Sequence, residues 1–285
     1  MRLNCARIFW PTALARKRQM SENKVSYERH GEIAVITLND PGRRNALSRE
    51  IVRGVSGALD TAMREGARGV VIAAAGGAFC AGANIDDLRN GWMECPDADE
   101  DPAVLFKRIA EFDRPVIAAV NGAALGGGME LTLACDLVVA AEPAWFAIPE
   151  LGHGVIPNTG LALLFRVVGI RRAYELILTR RRVFAPEALA MGLVNHVTPA
   201  DQALEGALSL AEQIVGAVPP GALRAAKRNL CGHAAVDWHR VLTSPLDVPK
   251  PEWQEGLLAF NQKRAPEYSG FWDAVKGSVE QGAVR

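Results

Sequence analysis

The segment PVIAAVNGAALGGGMELTLAC, residues Pro115–Cys135, contains the pattern that decides the fold. Pro115–Val120 is a short apolar run with β-branched residues, which predicts a buried strand. An Asn-Gly pair follows it as a turn signal. Gly126–Gly128 then lead into an apolar run around Glu130 that predicts a helix. A strand, a turn and a glycine-rich helix start therefore follow one another directly.

The same alternation of apolar strands and helical stretches extends from Val25 to about residue 200. Further strands are predicted at Ile33–Leu38, Gly69–Ala74, Leu137–Ala141 and Ala144–Ile148. Ser48 is the expected N-cap of a helix that reaches about Glu65. Beyond residue 200 the strand signals stop and helices dominate. The predicted fold class is therefore α/β, a sheet with crossover helices followed by a helical C-terminal region.

Three regions of the chain follow from these patterns. Residues 21–200 are predicted to form the core, and residues 201–285 the helical C-terminal region. Residues 1–20 are basic, and Pro11 interrupts their apolar run, so we expect an unstructured extension. The alternative is a transit peptide, which would send the protein to an organelle matrix.

The composition narrows the classes of function. Lys and Arg together number 32, and Asp and Glu together number 32. The protein therefore has no net charge that would attract nucleic acid or an anionic membrane. No stretch approaches the roughly 20 apolar residues that a membrane span needs. The cysteines are odd in number and lack metal-ligand spacing, so neither a disulfide framework nor a metal site is predicted. They are Cys5, Cys80, Cys95, Cys135 and Cys231. A reducing compartment, the cytoplasm, is expected.

Two segments rich in small residues each follow an apolar strand, at Ala78–Ile85 and Asn121–Glu130. Small residues let backbone N–H groups face a ligand, so two such segments can direct two donors at one oxygen, as an oxyanion hole does. A helix N-terminus in the second segment would add a partial positive charge. The same glycines equally permit close helix–strand packing. They do not form G-x-G-x-x-G, so a dinucleotide site is not predicted.

Glu130 and Glu150 favour the ligand-binding interpretation. Glu130 lies in an otherwise apolar predicted helix, where a charge buried without a purpose would be costly. Glu150 follows Pro149 at the end of an apolar strand, where α/β sheets place ligand sites. Two carboxyls in different environments can hold different protonation states, one as a base and the other as an acid. Solvated or salt-bridged surface glutamates are the alternative for each residue taken alone.

Three segments resemble the enoyl-CoA hydratase/isomerase (crotonase) superfamily: AFCAGANIDDL, AAVNGAALGGGMELTLACD and AIPELGHGVIP. The similarity continues through APEALAMGLVN and EGLLAFNQKR, and it covers about residues 25–270 in order. The resemblance implies a crotonase-like spiral of ββα repeats with a helical C-terminal trimerisation region. It also implies an acyl-CoA substrate and a homotrimer or homohexamer.

The resemblance also assigns roles to individual residues. It places the oxyanion-hole amides at Ala83 and Gly127 and the two catalytic carboxyls at Glu130 and Glu150. Glu130 would help to activate the water that attacks Cβ, and Glu150 would deliver a proton to Cα. The residues implied in binding coenzyme A or substrate are Arg44, Ala81, Ala83, Asn84, Ile85, Gly127 and Lys263. Of these, Arg44 and Lys263 are candidates for the phosphates, or plain surface charges.

Three positions depart from the family pattern. Asn84 stands where an aspartate is common, His153 where leucine or arginine is usual, and Asn158-Thr159 in place of a glycine-rich pair. These departures leave the implied reaction type intact. They bear on the acyl chain that the site accepts.

The function expected from the resemblance is that of an enoyl-CoA hydratase, which adds water across the 2,3-double bond. It would need no cofactor, because coenzyme A is part of the substrate. A double-bond isomerase, which needs one glutamate, or another acyl-CoA lyase or hydrolase of the same fold is the alternative. A non-enzymatic RNA-binding or scaffold role is a third, which the neutral charge and the intact glutamate pair disfavour.

Overall fold

Two β-sheets with helices around them make up the structure, a computed structural model that describes residues 24–92, 97, 99–233 and 250–268. The larger sheet has six strands and the smaller has four. The strands are β1 (Val25–His30), β2 (Ile33–Leu38), β3 (Gly69–Ala74), β4 (Ala78–Cys80), β5 (Val116–Val120), β6 (Ala123–Leu125), β7 (Leu137–Ala141), β8 (Trp145–Ala147), β9 (Val183–Phe184) and β10 (His196–Thr198). The extension predicted for residues 1–20 lies outside the described residues.

Helices follow most of the strands and take over at the C-terminal end. They are α1 (Arg49–Arg64), α2 (Ile85–Arg89), α3 (Pro102–Ala110), α4 (Gly127–Ala134), α5 (Asn158–Val168), α6 (Ile170–Thr179), α7 (Ala185–Ala190), α8 (Ala203–Ala217), α9 (Pro220–His233) and α10 (Lys250–Asn261). Two 3₁₀ turns lie at Pro41–Arg43 and Glu150–His153. Among the described helices, none has the length and apolar character needed to cross a membrane.

Successive turns of the chain place one strand in each sheet. In the larger sheet β3, β5 and β7 are neighbours, and in the smaller sheet their successors β4, β6 and β8 are neighbours. The successive strands pair in parallel, for example Ile117 with Leu137 in the larger sheet and Ala123 with Trp145 in the smaller. One or two helices follow each pair of strands. The spiral of ββα repeats that the resemblance implies is therefore confirmed.

Both faces of the larger sheet are buried at its inner strands β2, β3, β5 and β7, which explains why these are continuous apolar runs rather than alternating ones. On β3, Val70 and Ile72 belong to the core that the sheet shares with α1, α3 and α4. The intervening Val71 belongs to a second core on the other face, where Ala207 of α8 packs. Because α8 covers that face with small residues, it lies close to the strands.

Five strands have no clear signal in the sequence: β1, β4, β6, β9 and β10. β1 reads VSYERH because it is a half-exposed edge strand, paired antiparallel with β2. The other four have two or three residues each, too few for a periodic pattern to emerge. The strand predicted from Pro115 begins one residue later, since proline has no N–H to donate to a ladder. The N-cap prediction is confirmed: Ser48 Oγ accepts a hydrogen bond from the Ile51 N–H at 3.3 Å.

Asn45 is a fully buried polar residue that ties together two loops, the one between β2 and α1 and the one between β3 and β4. Its Oδ1 accepts a hydrogen bond from the Asp40 N–H at 2.8 Å. Its Nδ2 donates to the carbonyls of Ala75 at 2.8 Å and Ala78 at 2.9 Å. The backbone of Asn45 has a φ of 55°, in the left-handed region that asparagine tolerates better than most residues. This side chain therefore fixes the loop that carries the neighbouring Arg44.

Replacing Asn45 by alanine should destabilise the fold, because it leaves one N–H and two carbonyls buried without partners. We expect Asn45→Ala to lower the free energy of unfolding by about 3 kcal/mol. Urea denaturation at one fixed protein concentration measures this. The control is Asn90→Ala, at an exposed position, which should change the same quantity by less than about 0.5 kcal/mol. A loss below about 1 kcal/mol for Asn45→Ala would contradict the assigned role.

Candidate active site

Glycines bring the start of α4 against the end of β4. Gly126, the residue before α4, has a φ of 52°, which glycine adopts without steric cost. A Cβ at Gly128 would collide with the carbonyl oxygen of Cys80, and a Cβ at Gly82 would lie 2.9 Å from the carbonyl oxygen of Leu125. The two segments rich in small residues therefore pack backbone against backbone.

Ala83 and Gly127 lie close together at this contact. The Leu47 N–H donates to the Gly82 carbonyl at 2.7 Å, and the Asn84 N–H donates to the Leu47 carbonyl at 2.8 Å. Since ladder bonds alternate along an extended chain, the intervening Ala83 N–H faces away from Leu47. Gly127 is the first residue of α4, so its N–H has no partner within the helix. A Cβ at Gly127 would lie 3.8 Å from the Ala83 nitrogen, which shows how close the two residues are.

Glu130 is on the first turn of α4 and is only 8% exposed. Its Oε1 accepts a hydrogen bond from the Gly160 N–H at 2.7 Å, and the Thr159 N–H also stabilises the carboxylate. Both donors lie at the N-terminus of α5, whose partial positive charge favours an anion. Burial raises the pKa of Glu130, and these backbone hydrogen bonds offset part of that rise.

Glu150 lines the same cavity as Glu130 but has different surroundings. It lies against the start of α4, because a Cβ at Gly126 would collide with its Oε1. Its Oε2 is shielded from solvent and has no hydrogen-bond partner among the described residues. Burial raises the pKa of Glu150, and the negative charge of Glu130 raises it further. Protonated Glu150 beside ionised Glu130 is therefore the arrangement that the surroundings favour.

A cavity of about 610 Å³ connects these groups. Its wall includes Glu130, Glu150, Ala83 and Gly127. Large apolar side chains form much of the remaining surface: Leu47, Leu88, Trp92, Phe106, Leu125, Val155, Ile156, Leu257 and Phe260. A cavity of this size, apolar with a few convergent polar groups, is typical of small-molecule sites.

The structure gathers most of the residues expected to bind coenzyme A or substrate. Arg44, Ala81, Ala83, Asn84, Ile85 and Gly127 all line the cavity. The Asn84 side chain is already engaged, since its Oδ1 accepts from the Asp86 N–H at 3.0 Å and caps α2. Lys263 differs from the others: it is an exposed residue just past α10 and is not part of the cavity wall.

Several residues of the cavity carry no site signal in the sequence. Behind the wall, Gly160 holds Glu130 through its backbone N–H, which no side-chain pattern reveals. Leu257 and Phe260 reach the cavity from α10, far along the chain. Trp92 lies in the wall with its indole N–H donating to the Glu100 carbonyl at 3.2 Å. Apolar spacing predicts that such residues are buried, but it does not say which cavity they line.

Comparison with known proteins gives the family. The family model for "Enoyl-CoA hydratase/isomerase" matches residues 28–271. The chain belongs to the enoyl-CoA hydratase/isomerase family. One relative in this family, the 2,3-dehydroadipyl-CoA hydratase of Escherichia coli, is 37% identical over 259 residues, which make up 88% of this chain and 100% of that protein.

Solved structures similar to this enoyl-CoA hydratase/isomerase family member have the same fold. A carnitinyl-CoA hydratase from Mycobacterium avium is 36% identical, with a TM-score of 0.78 over 87% of this chain and 99% of that chain. An enoyl-CoA hydratase/isomerase from Pseudoalteromonas atlantica is 30% identical, with a TM-score of 0.78 over 86% of this chain and 100% of that chain. The crotonase fold expected from the sequence segments is therefore confirmed.

In this member of the enoyl-CoA hydratase/isomerase family, the raised pKa values predict a pH-dependent cost to stability. A carboxyl with a raised pKa holds its proton more tightly in the folded state than in the unfolded chain. The stability that this proton binding gives the folded state is therefore fully present below the pKa of the unfolded chain, and it is lost as pH rises through the pKa of the folded protein. We expect Glu150→Gln to match the wild type in unfolding free energy near pH 4.5 and to exceed it by roughly 2 kcal/mol near pH 8.5.

Urea denaturation at the two pH values measures this difference. The matched control is Glu142→Gln, since Glu142 is exposed and lies outside the cavity wall. Its effect on the free energy of unfolding should be small and equal at both pH values. If Glu150→Gln shows the same difference from the wild type at both pH values, the carboxyl is not ionised at a cost in the folded protein.

Proposed function

We propose that the protein is an enoyl-CoA hydratase, which adds water reversibly across the 2,3-double bond of an enoyl-CoA thioester. The observation that carries the proposal is the pair of buried carboxyls, Glu130 and Glu150, on the wall of one cavity. Hydration needs one group to accept a proton from water and another to protonate Cα. Isomerisation can shuttle a single proton on one carboxyl. The pair therefore favours hydration.

The thioester carbonyl oxygen is proposed to bind between the N–H groups of Ala83 and Gly127. The proximity of these two groups and the N-terminus of α4 behind Gly127 support this placement. Attack at Cβ moves the double-bond electrons toward Cα and the carbonyl, so negative charge develops on that oxygen. Two fixed donors stabilise the charge without reorganisation, and one such donor is commonly worth about 10²–10³ in turnover.

The different surroundings of the glutamates assign the proton steps. Glu130, held by backbone N–H groups, is the ionised partner. It accepts a proton from the attacking water while the water oxygen bonds to Cβ. Glu150, whose Oε2 has no partner among the described residues, starts protonated and gives its proton to Cα of the enolate. The product is the 3-hydroxyacyl thioester, and exchange of a proton returns the pair to its starting state. These steps draw on no cofactor, because coenzyme A is part of the substrate.

Coenzyme A is proposed to follow the backbone of Ala81–Ile85, with its phosphates near Arg44. Arg44 supports this proposal because it lies on the cavity wall in the loop that Asn45 anchors. Lys263 remains a second candidate for the phosphates, outside the cavity of its own chain. The acyl chain would then occupy the apolar part of the cavity, beside Trp92 and Phe106.

We also propose that the protein assembles as a homotrimer, or a homohexamer made of two trimers. Support comes from large apolar residues that a single chain leaves exposed on α5 and α6: Leu161, Phe165, Ile170, Tyr174 and Leu178. On α6 they recur every four residues and so form one stripe, which a neighbouring subunit would cover. The proposed compartment is the cytoplasm, which suits the free thiols of Cys80 and Cys135.

The hydratase proposal predicts that both glutamates are needed. Glu130→Gln and Glu150→Gln should each lower the turnover of crotonyl-CoA hydration by at least roughly 10²-fold, because each removes one proton-transfer group. The double variant should lose less than the combined effect of the two singles, since the residues act as a unit. Loss of the conjugated enoyl absorbance measures hydration, and circular dichroism checks folding. Glu142→Gln, at an exposed site, is the matched control.

One pattern of results would replace hydration with isomerisation. If Glu130→Gln spares activity while Glu150→Gln abolishes it, one carboxyl suffices and the hydratase proposal is wrong. Conversion of a 3-enoyl-CoA to its 2-enoyl isomer, measured on the same variants, would then identify the reaction.

The placement of coenzyme A predicts a substrate-dependent effect at Arg44. Arg44→Ala should raise KM for an enoyl-CoA roughly fivefold, because a charge-assisted contact with phosphate is lost. It should leave KM for the matching enoyl-pantetheine thioester unchanged, since that substrate has no such phosphates. Lys263→Ala should have a smaller effect, and Arg68→Ala, which removes an exposed arginine paired with Glu32, should have none. Equal effects of Arg44→Ala on both substrates would indicate a structural role.

A further inference from the structure

His153 lies on the cavity wall, one turn after Glu150. Both residues belong to the same 3₁₀ turn and both line the cavity. In a 3₁₀ helix residues three apart project from the same side, and a rise of about 2.0 Å per residue separates them by about 6 Å. The imidazole therefore stands beside the proposed proton donor. Because Glu150 is proposed to protonate Cα, this spacing brings the ring within reach of chain atoms a few bonds beyond that carbon.

Packing from α10 fixes the imidazole in this place. The ring of Phe260 meets it edge-on, with ring centroids 5.4 Å apart and an interplanar angle of 86°. The backbone of His153 is held as well, because a Cβ at Gly256 would collide with its carbonyl oxygen. His153 is partly buried, so its ring has lost much of its contact with water.

The surroundings of His153 favour the neutral imidazole, and a positive charge lies near the ring. Burial lowers the pKa of His153, and the nearby charge of Arg180 lowers it further. Arg180 is close, since a Cβ at Gly152 would collide with its Nη1. A neutral ring offers one N–H donor and one nitrogen acceptor. Among the described residues its partner is an aromatic ring rather than a polar group, so its hydrogen-bonding capacity is available to a ligand.

We infer that His153 selects enoyl-CoA substrates whose acyl chain carries an oxygen substituent, a hydroxyl or a carboxylate, a few bonds beyond the double bond. This inference rests on the proposed hydratase function. A plain alkyl chain at this place would bury the imidazole without a partner, which costs binding energy. An oxygen substituent accepts the ring N–H, and the positive charge of Arg180 favours an oxygen that is negatively charged.

The test compares three six-carbon 2-enoyl-CoA thioesters that end in a methyl, a hydroxymethyl or a carboxylate group. The quantity measured is kcat/KM for each oxygen-bearing chain divided by that for the methyl chain. His153→Leu should lower this ratio about fivefold for the hydroxyl and about tenfold for the carboxylate, because hydrogen bonds to charged groups are stronger. His153→Gln, which keeps a donor and an acceptor, should retain most of the preference. His30→Leu, which removes an exposed histidine outside the cavity, should leave the ratio unchanged.

The outcomes separate this inference from the proposed function. If His153→Leu lowers the ratio for only one of the two oxygen-bearing substrates, the oxygen group of that substrate is the one that His153 recognises. A ratio that is the same in the wild type and in His153→Leu for both arms overturns the inference and leaves the hydratase proposal standing. A wild-type protein that hydrates neither crotonyl-CoA nor any of the three thioesters overturns the proposed function, and the inference with it. One that hydrates crotonyl-CoA but none of the three overturns the inference alone. Should His153→Leu fail to fold, His153→Met repeats the test with an unbranched apolar side chain.

Discussion

The backbone contact between the start of α4 and the end of β4 is the constraint on which the candidate site depends. Neither Gly128 against the Cys80 carbonyl nor Gly82 against the Leu125 carbonyl leaves room for a side chain. Any larger residue would push α4 away from β4 and separate the N–H groups of Ala83 and Gly127. Packing and anion binding are therefore not competing explanations of these glycines, because the packing is what places the two donors together.

The same helix sets the electrostatic difference between the two carboxyls. Glu130, on α4, accepts a hydrogen bond from the backbone at the start of α5. Glu150 differs: its Oε1 lies against the start of α4, and its Oε2 has no hydrogen-bond partner among the described residues. Each carboxyl loses water on burial, but only one receives fixed donors in return. Two residues of the same type thus acquire different proton affinities, which is the condition for one to act as a base while the other acts as an acid.

The sequence predicts the parts of this arrangement that are encoded locally. β-branched runs give the long strands, Ser48 gives a helix start, and an isolated Glu130 in an apolar helix indicates a site. Other parts depend on which distant segments meet. Gly160 donates to Glu130 through its backbone N–H, and Phe260 reaches the cavity from α10. Neither residue is marked by a local sequence pattern. The edge strand β1 escapes prediction for a related reason, since exposure removes its apolar pattern.

Contacts with α10 hold the 3₁₀ turn at Glu150–His153 through residues that are distant in the sequence. The backbone of α10 presses on His153 at Gly256, and beyond the helix the Tyr268 hydroxyl donates to the Gly152 carbonyl at 3.2 Å. Arg180 fills the space beside Gly152. The turn that carries Glu150 is thus held by two segments that follow it in the sequence, one at Arg180 and one at residues 256–268, although a four-residue 3₁₀ turn has little stability alone. Because an acid must be held in place to transfer its proton efficiently, the C-terminal region contributes to the proposed chemistry through position rather than through a reacting group.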